Sequence, residues 1–321
     1  MGKIAVILPL YKERPEKLRK CLSALISQKG VDYSVFVVLD RDADSASVSV
    51  AREFSGKVEI VRTKGKTVSE LRNHCLSLPE RFEYFAFTDP DCVPGKKWLH
   101  SLKSGLPYGF SAIGGSDPFV NRPGVFNDFM RGDLESRRGF RGETYWLDTN
   151  NFLVKAEAFR KVGGFKNDLT RGTDTFISEK LARAGKRMFF DPKIAVIHMK
   201  DYSFGSFIRE CVKYGKSHAE IFLSGIRFSR TVRSHPGVLY FIQPAVAGSS
   251  VLALPIFPAV SLALVFPLIA IGLLKSFQQS SQNKIIFSLI FSIRPFFWFF
   301  GGISGALAHF FRPVYSLKGK L

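Results

Sequence analysis

From Val238 to Leu274 the chain runs for 37 residues without a charged side chain. A helix crossing the ~30 Å hydrocarbon core of a bilayer takes roughly 20 residues, so this run is too long for one span and suits two short ones. Gly248-Ser249-Ser250, or Pro255 with Pro258, mark the turn between them. A polar stretch from Lys275 to Lys284 follows, and Ile285 to Phe311 is then apolar except for Arg294 beside Pro295. That segment reads as a third span, or as an interfacial piece followed by a span from Phe296. Arg294 has two readings, its head snorkelling to a headgroup or its guanidinium facing a lipid phosphate. From Pro236 onward there are six Lys or Arg and no Asp or Glu, a pattern that fits lipid better than the core of a soluble helical domain. The expectation is a transmembrane region over residues 236–321 with two to four spans. The basic Arg312, Lys318 and Lys320 favour an even number, because cationic flanks tend to stay on one side.

Every carboxylate side chain therefore lies in the first 235 residues, which hold 40 basic and 27 acidic side chains. Acid–base or metal chemistry has to be sought there. The net charge of +19 and a pI near 9.9 point to an anionic partner: nucleic acid, phospholipid or a phosphorylated substrate. A composition that is 46% hydrophobic and 14% aromatic excludes a disordered chain. Cys21, Cys75, Cys92 and Cys211 show no CxxC or CxxH spacing. Buried thiols in a reducing compartment are the simplest reading, disulfides or zinc the alternative. Ile4 to Leu8, ended by Pro9, is too brief for a secretory apolar region. Val6 stands where a myristoylated Gly2 would need Ser or Thr.

Residues 201–235 form a third kind of segment. Phe204, Phe207, Ile208, Cys211 and Val212 recur at helical spacing, Arg209, Lys213 and Lys216 lie among them, and Arg227, Arg230 and Arg233 follow. This is a basic amphipathic helix on an anionic surface, or a helix packed on its own domain; opposite faces can do both.

The N-terminal 200 residues alternate strands with helices. Lys3–Leu8, Ser34–Leu39, Val58–Val61 and Tyr84–Thr88 are strand-like runs, and Glu16–Gln28 and Val68–Leu76 have a helical period. Such alternation gives an α/β, largely parallel sheet covered on both faces, whose ligand crevice lies at the carboxyl ends of its strands. Asp40 and Asp89 both stand at strand ends. Asp89-Pro90-Asp91 presents two carboxylates one residue apart, able to serve a hard cation and a sugar or ribose together; a capped turn uses the same residues. Gly114-Gly115 after Ile113 reads as a close backbone approach near a bound donor sugar, or as a turn.

These residues, with others in order, resemble family 2 glycosyltransferases of the GT-A fold. Ala5-Val6-Ile7-Leu8-Pro9-Leu10-Tyr11 resembles the opening strand and loop, and Val37-Val38-Leu39-Asp40 the second strand. Phe87-Thr88-Asp89-Pro90-Asp91 resembles the DxD strand end, and Thr149-Asn150-Asn151-Phe152 with Val162-Gly163-Gly164-Phe165 the acceptor-side strand and turn. Gly172-Thr173-Asp174 resembles a helix start that usually carries Glu-Asp, and Val196-Ile197-His198 the closing strand. The family's usual Asp-Gly-Ser is replaced by Asp40-Arg41-Asp42-Ala43, and its Glu by Thr173. The resemblance covers about residues 3–220.

What it implies is an inverting transferase using a nucleotide-diphospho-sugar, with Mg²⁺ or Mn²⁺ as cofactor. Pro9, Tyr11, Asp40 and Asp89 would hold the donor, Asp40 at the nucleobase and Asp89 at the ribose or sugar. Asp91 would hold the cation, which His198 either completes or borders as a structural residue. Asp174 would take the proton from the acceptor hydroxyl. Trp146, Asn150, Arg171 and Arg209 are candidate acceptor or phosphate contacts; for Trp146 core packing, and for Arg171 solvation, is the competing reading. Arg131, Arg137, Arg138 and Arg141 mark a polar stretch, read as a solvated loop or as a lid over an anionic acceptor.

The expected whole is a GT-A catalytic domain over 1–200, an interfacial segment over 201–235 and the membrane region. It would face the cytoplasm, where nucleotide sugars are made, with a lipid-linked or glycan acceptor, the bilayer as partner and no nucleic acid. No Gln-x-x-Arg-Trp motif of processive members follows His198. The rival classes are a non-catalytic anionic-lipid or nucleic-acid binding protein, and a transporter. No nucleic-acid motif supports the former, and too few spans without an intramembrane carboxylate argue against the latter.

Overall fold

Ile4, Val6 and Leu8 point to one face of the first strand and Ala5 and Ile7 to the other, and all five are fully buried. A strand apolar on both faces belongs in the middle of a covered sheet. The computed structural model describes residues 2–118, 123–137, 140–167, 172–223, 239–277 and 283–310. Arg171, Arg138, Arg227, Arg230, Arg233, Arg312, Lys318 and Lys320 lie outside the described residues.

The strand is β1 (Lys3–Leu10), with β2 (Tyr33–Leu39) and β4 (Phe82–Thr88) parallel to it on either side and β3 (Glu59–Arg62) parallel beyond β2. The sheet continues through β8 (Asn151–Lys155), β6 (Ala112–Ser116), β9 (Met188–His198) and β5 (Cys92–Pro94), with β7 (Gly142–Thr144) on β9. β8 is antiparallel to both β4 and β6, so the sheet is mixed. Its far end curls because one long strand serves two partners. Met188–Asp191 of β9 pair with β6, while Val196–His198 pair with β5.

Helices α1 (Pro15–Leu25) and α2 (Ser45–Glu53) cover one face, and α3 (Val68–Arg72), α6 (Ala156–Lys161) and α7 (Thr173–Arg183) the other. α4 (Trp98–Gly105) adds Trp98, Leu99 and Leu102 to the first core. The sequence reading left α2 out. Its alternating Ser and Val look strand-like, but Asp44 caps it by accepting from the Ser47 amide. Gly115 closely approaches the neighbouring strand: a Cβ there would overlap the Ile194 carbonyl oxygen.

The chain divides into two units, residues 1–121 with 138–201, and residues 122–137 with 202–321. The second contains α5 (Val125–Arg137), α8 (Phe204–Ile221), α9 (Leu239–Ala253), α10 (Pro258–Phe277) and α11 (Lys284–Phe310). α10, and residues 284–308 of α11, are long and apolar enough to cross a membrane. The break between α9 and α10 falls at the Pro255–Pro258 pair, and Gly248-Ser249-Ser250 lies inside α9.

Two expectations are corrected in this unit. The stretch beginning at Arg131 is not a loop: α5 runs through Arg137, because Phe126, Phe129 and Met130 give it an apolar face. Arg294 neither snorkels nor meets a lipid phosphate. It is 2% exposed, donates to Asp133 of α5 at 2.9 Å, and lies over the rings of Phe129, Phe291 and Trp298.

Candidate active site

Asp40 and Asp89 follow directly on the carboxyl ends of β2 and β4, the two neighbours of β1. Asp40 is buried and turns back on its own loop. Its amide donates to the Leu10 carbonyl (2.9 Å) and its Oδ1 accepts from the Asp42 amide (2.7 Å). This turn accommodates Arg41 and Asp42, which pair with each other on the surface. Tyr11, at the end of β1, is 57% exposed, and Pro9 is buried inside the strand.

The antiparallel register of β5 on β9 sets Cys92 opposite His198. That places His198 Nε2 3.2 Å from Asp91 Oδ1. On its other side, His198 Nδ1 is 3.2 Å from Oδ2 of Asp117, which follows β6, and Asn150 Nδ2 donates to the same Oδ2 at 2.6 Å. Burial opposes ionisation of Asp91, but the His198 contact outweighs it and holds the carboxyl below its usual range. Burial also lowers the His198 pKa, with the Lys200 charge adding to it. A neutral imidazole carries one N–H between these two carboxylates. With that proton toward Asp117, the Nε2 lone pair and the Asp91 oxygen face one another, an arrangement that a cation resolves. Asn150 Oδ1 is buried with no hydrogen-bond partner among the described residues. Oxygen and imidazole donors fit Mg²⁺ or Mn²⁺. Cys92 Sγ is within reach, but burial pushes its thiol pKa well up and its softness suits other metals.

A second cluster joins Asp89 to Asp174. Buried Arg72, at the end of α3, donates from Nη2 to Asp89 Oδ1 at 2.6 Å. Its Nη1 donates to Thr149 Oγ1 (2.6 Å) and Thr173 Oγ1 (3.2 Å). The Thr149 amide (3.1 Å) and hydroxyl and the Thr173 hydroxyl (3.4 Å) all donate to Asp174 Oδ1. Asp174 is half-buried in the first turn of α7, whose N-cap Gly172 takes φ 71°. That left-handed turn suits glycine and directs the chain into the helix.

Of the residues anticipated from sequence, Asp91, His198 and Asn150 thus come together around Asp117, and Asp89 and Asp174 around Arg72. Trp146 is half-buried beside Thr144. Arg209 is exposed on α8 in the second unit, and Arg171 is outside the described residues. Arg72 and Asp117 were not anticipated. Asp117 carries the same strand-end signal as Asp40 and Asp89, whereas nothing local marks Arg72.

A curled mixed sheet with acidic residues at the ends of its parallel strands is the GT-A arrangement of nucleotide-sugar transferases. Residues 5–161 match the model for glycosyl transferase family 2. Two curated relatives, the pre-mycofactocin glycosyltransferases of two Mycobacterium tuberculosis strains, are each 24% identical over 148 residues. The match covers 43% of this chain and spans about a third (32%) of each relative. The fold is similar to that of a mannosyltransferase from Pyrobaculum calidifontis solved with GDP-Man and Mn²⁺. That similarity has a TM-score of 0.62 at 18% identity and covers 95% of this chain and 87% of that one. It is similar also to residues 1–349 of S. aureus TarS with UDP-GlcNAc, at TM-score 0.53 and 14% identity over 96% and 91% of the two chains.

Proposed function

We propose that the chain is a membrane-anchored inverting glycosyltransferase that moves a sugar from a nucleotide-diphospho-sugar to a lipid-linked acceptor, such as a polyprenyl phosphate, or to a glycan. The observation that carries this reading is the pair of clusters, Asp91 with His198 and Asp89 with Arg72 and Asp174, beside one strand end. The GDP-Man, UDP-GlcNAc and Mn²⁺ held by the two structural relatives support a nucleotide-sugar donor and a divalent cation. Asp40, with Pro9 and Tyr11, holds the base side of the donor, and Asp89 the ribose or sugar side. Asp91 and His198 hold the cation, which when bound offsets charge on the departing diphosphate. Asp117 accepts the His198 Nδ1 proton and so turns Nε2 toward Asp91, the usual way an outer carboxylate orients a metal-ligating histidine.

Asp174 accepts the proton of the acceptor hydroxyl. The hydroxyls of Thr149 and Thr173 engage one of its oxygens and so fix the direction of the other. The apolar α10 and α11 support membrane anchoring, and the cytosolic supply of nucleotide sugars supports a cytoplasmic face. Titration calorimetry with Mn²⁺, then with GDP or UDP, tests the reading. Mn²⁺-dependent nucleotide binding lost in Asp91→Ala is expected; nucleotide binding indifferent to both would contradict it.

A further inference from the structure

Helix α11 has two unlike sides along its whole length. Ile285, Leu289, Ile293, Phe300, Ile303 and Leu307 form a stripe 43–79% exposed. Elsewhere α11 is packed by the apolar α9 and α10, at Gly248 against Phe299 and at Gly272 against Ser288 and Ser292, and by the more polar α5 and α8. Phe129 of α5 meets Phe287 and Phe291, and Asp133 of α5 meets Arg294. Further along, α8 lies so near that a Cβ on Gly215 would overlap the Trp298 carbonyl and one on Gly301 the Val212 carbonyl. At Gly305 an added Cβ would come within 2.6 Å of the Lys216 carbonyl. Contact this close means that α8 goes wherever α11 goes.

α8 exposes Arg209 and Lys213, spaced i and i+4, and Lys216 where it meets α11 at Gly305. The apolar part of α11, residues 284–308, is 25 residues long. A crossing uses about 20 residues, so any crossing placed within that part contains residues 289–303. Those are the residues that α5 and α8 flank. Were α11 to cross the bilayer, the Arg294–Asp133 pair would sit at hydrocarbon depth, where charged side chains are costly. α11 is apolar enough to span, as is α10 beside it, but α5 and α8 are not.

We propose that α11 lies along the membrane surface rather than across it. Its exposed stripe is seated in the acyl boundary of one leaflet. α5 and α8 stay on the aqueous side, about 8–10 Å higher by ordinary helix spacing, which brings the cations of α8 level with anionic phospholipid headgroups. The proposal rests on the membrane association argued above and replaces the crossing of α11 by an in-plane seat.

Lys284 marks one end of α11 and Lys216, packed at Gly305, the other, a separation of roughly 31 Å along the helix. Single Lys284→Cys and Lys216→Cys variants of the full chain are labelled with a membrane-impermeant maleimide in inside-out and in right-side-out vesicles. The unsubstituted chain, whose four thiols are buried, is the background. Labelling of both positions in the same vesicle orientation is the expected result. Labelling in opposite orientations, or a Lys216→Cys site shielded in both, overturns the in-plane seat. Flotation of the protein with anionic vesicles in high salt separates the two readings. A protein that floats but labels on opposite sides loses only the in-plane seat, whereas one that does not float loses membrane association as well.

Discussion

Arg72 donates to Asp89 through one guanidinium nitrogen and, through the other, to the two threonines that hold Asp174. One buried side chain thus links Asp89 and Asp174, the carboxylates proposed for the donor and for the base. Lysine keeps the charge but cannot make the fork. Arg72→Lys is expected to lower kcat by about 10- to 100-fold, the effect of a misplaced but intact reacting group, with KM for the donor changed less. Steady-state kinetics beside a thermal melt check this. Unchanged kcat in a folded variant would remove Arg72 from the site.

Asp117→Asn keeps the shape of the side chain and removes the carboxylate that lies 3.2 Å from His198 Nδ1 and is proposed to accept its proton. An outer-shell change of this kind weakens metal binding by about 10- to 100-fold. Mn²⁺ titration followed by electron paramagnetic resonance reads the affinity directly, and His198→Ala should weaken it further. Equal affinity in wild type and Asp117→Asn would leave Asp117 a structural residue.

The Arg294–Asp133 pair is buried, with side-chain exposures of 3% and 0%. Removing one partner strands the other, at a cost of about 3–5 kcal/mol, while replacing both by apolar residues is often close to neutral. Asp133→Leu should therefore melt well below wild type in detergent, and Asp133→Leu with Arg294→Met should recover most of the loss. Additive losses in the double variant would show that the pair has no special coupling.

All four cysteines are free and buried. Burial raises the pKa of Cys21, Cys75 and Cys92 well above the ordinary thiol value and pushes Cys211 up to about 12. At pH 8 the native protein should react with no more than a trace of a thiol-specific disulfide reagent, and the denatured chain with four equivalents. Fast reaction of a native thiol would mark an opening of the core at that position.

The residues legible in the sequence are those whose signal is local. Asp40, Asp89 and Asp91 stand at the ends of apolar strands, and His198 closes one. The same rule reaches Asp117, which follows β6. What escaped depends on distant pairings. Arg72 meets Thr149 and Thr173, 77 and 101 residues away, and Asp133 meets Arg294, 161 residues away. A buried arginine on a short helix looks like a solvated one until its partners are placed. The stretch from Arg131, which reads as a solvated loop or a lid, begins inside α5 for the same reason: its arginines mask an apolar face that the C-terminal helices complete. The transmembrane reading of residues 285–311 rests on composition, which does not register that α5 and α8 pack on that helix.

The central claim is that Asp91 and Asp174 serve one reaction, and nucleotide release by the purified protein tests it most directly. With UDP- and GDP-sugars offered in turn, Mn²⁺ or Mg²⁺ present and lipid extract as acceptor, the account predicts cation-dependent release from one donor. That release is lost in Asp91→Ala, through cation and donor binding, and in Asp174→Ala with donor binding intact. Release that persists undiminished in both variants would contradict it.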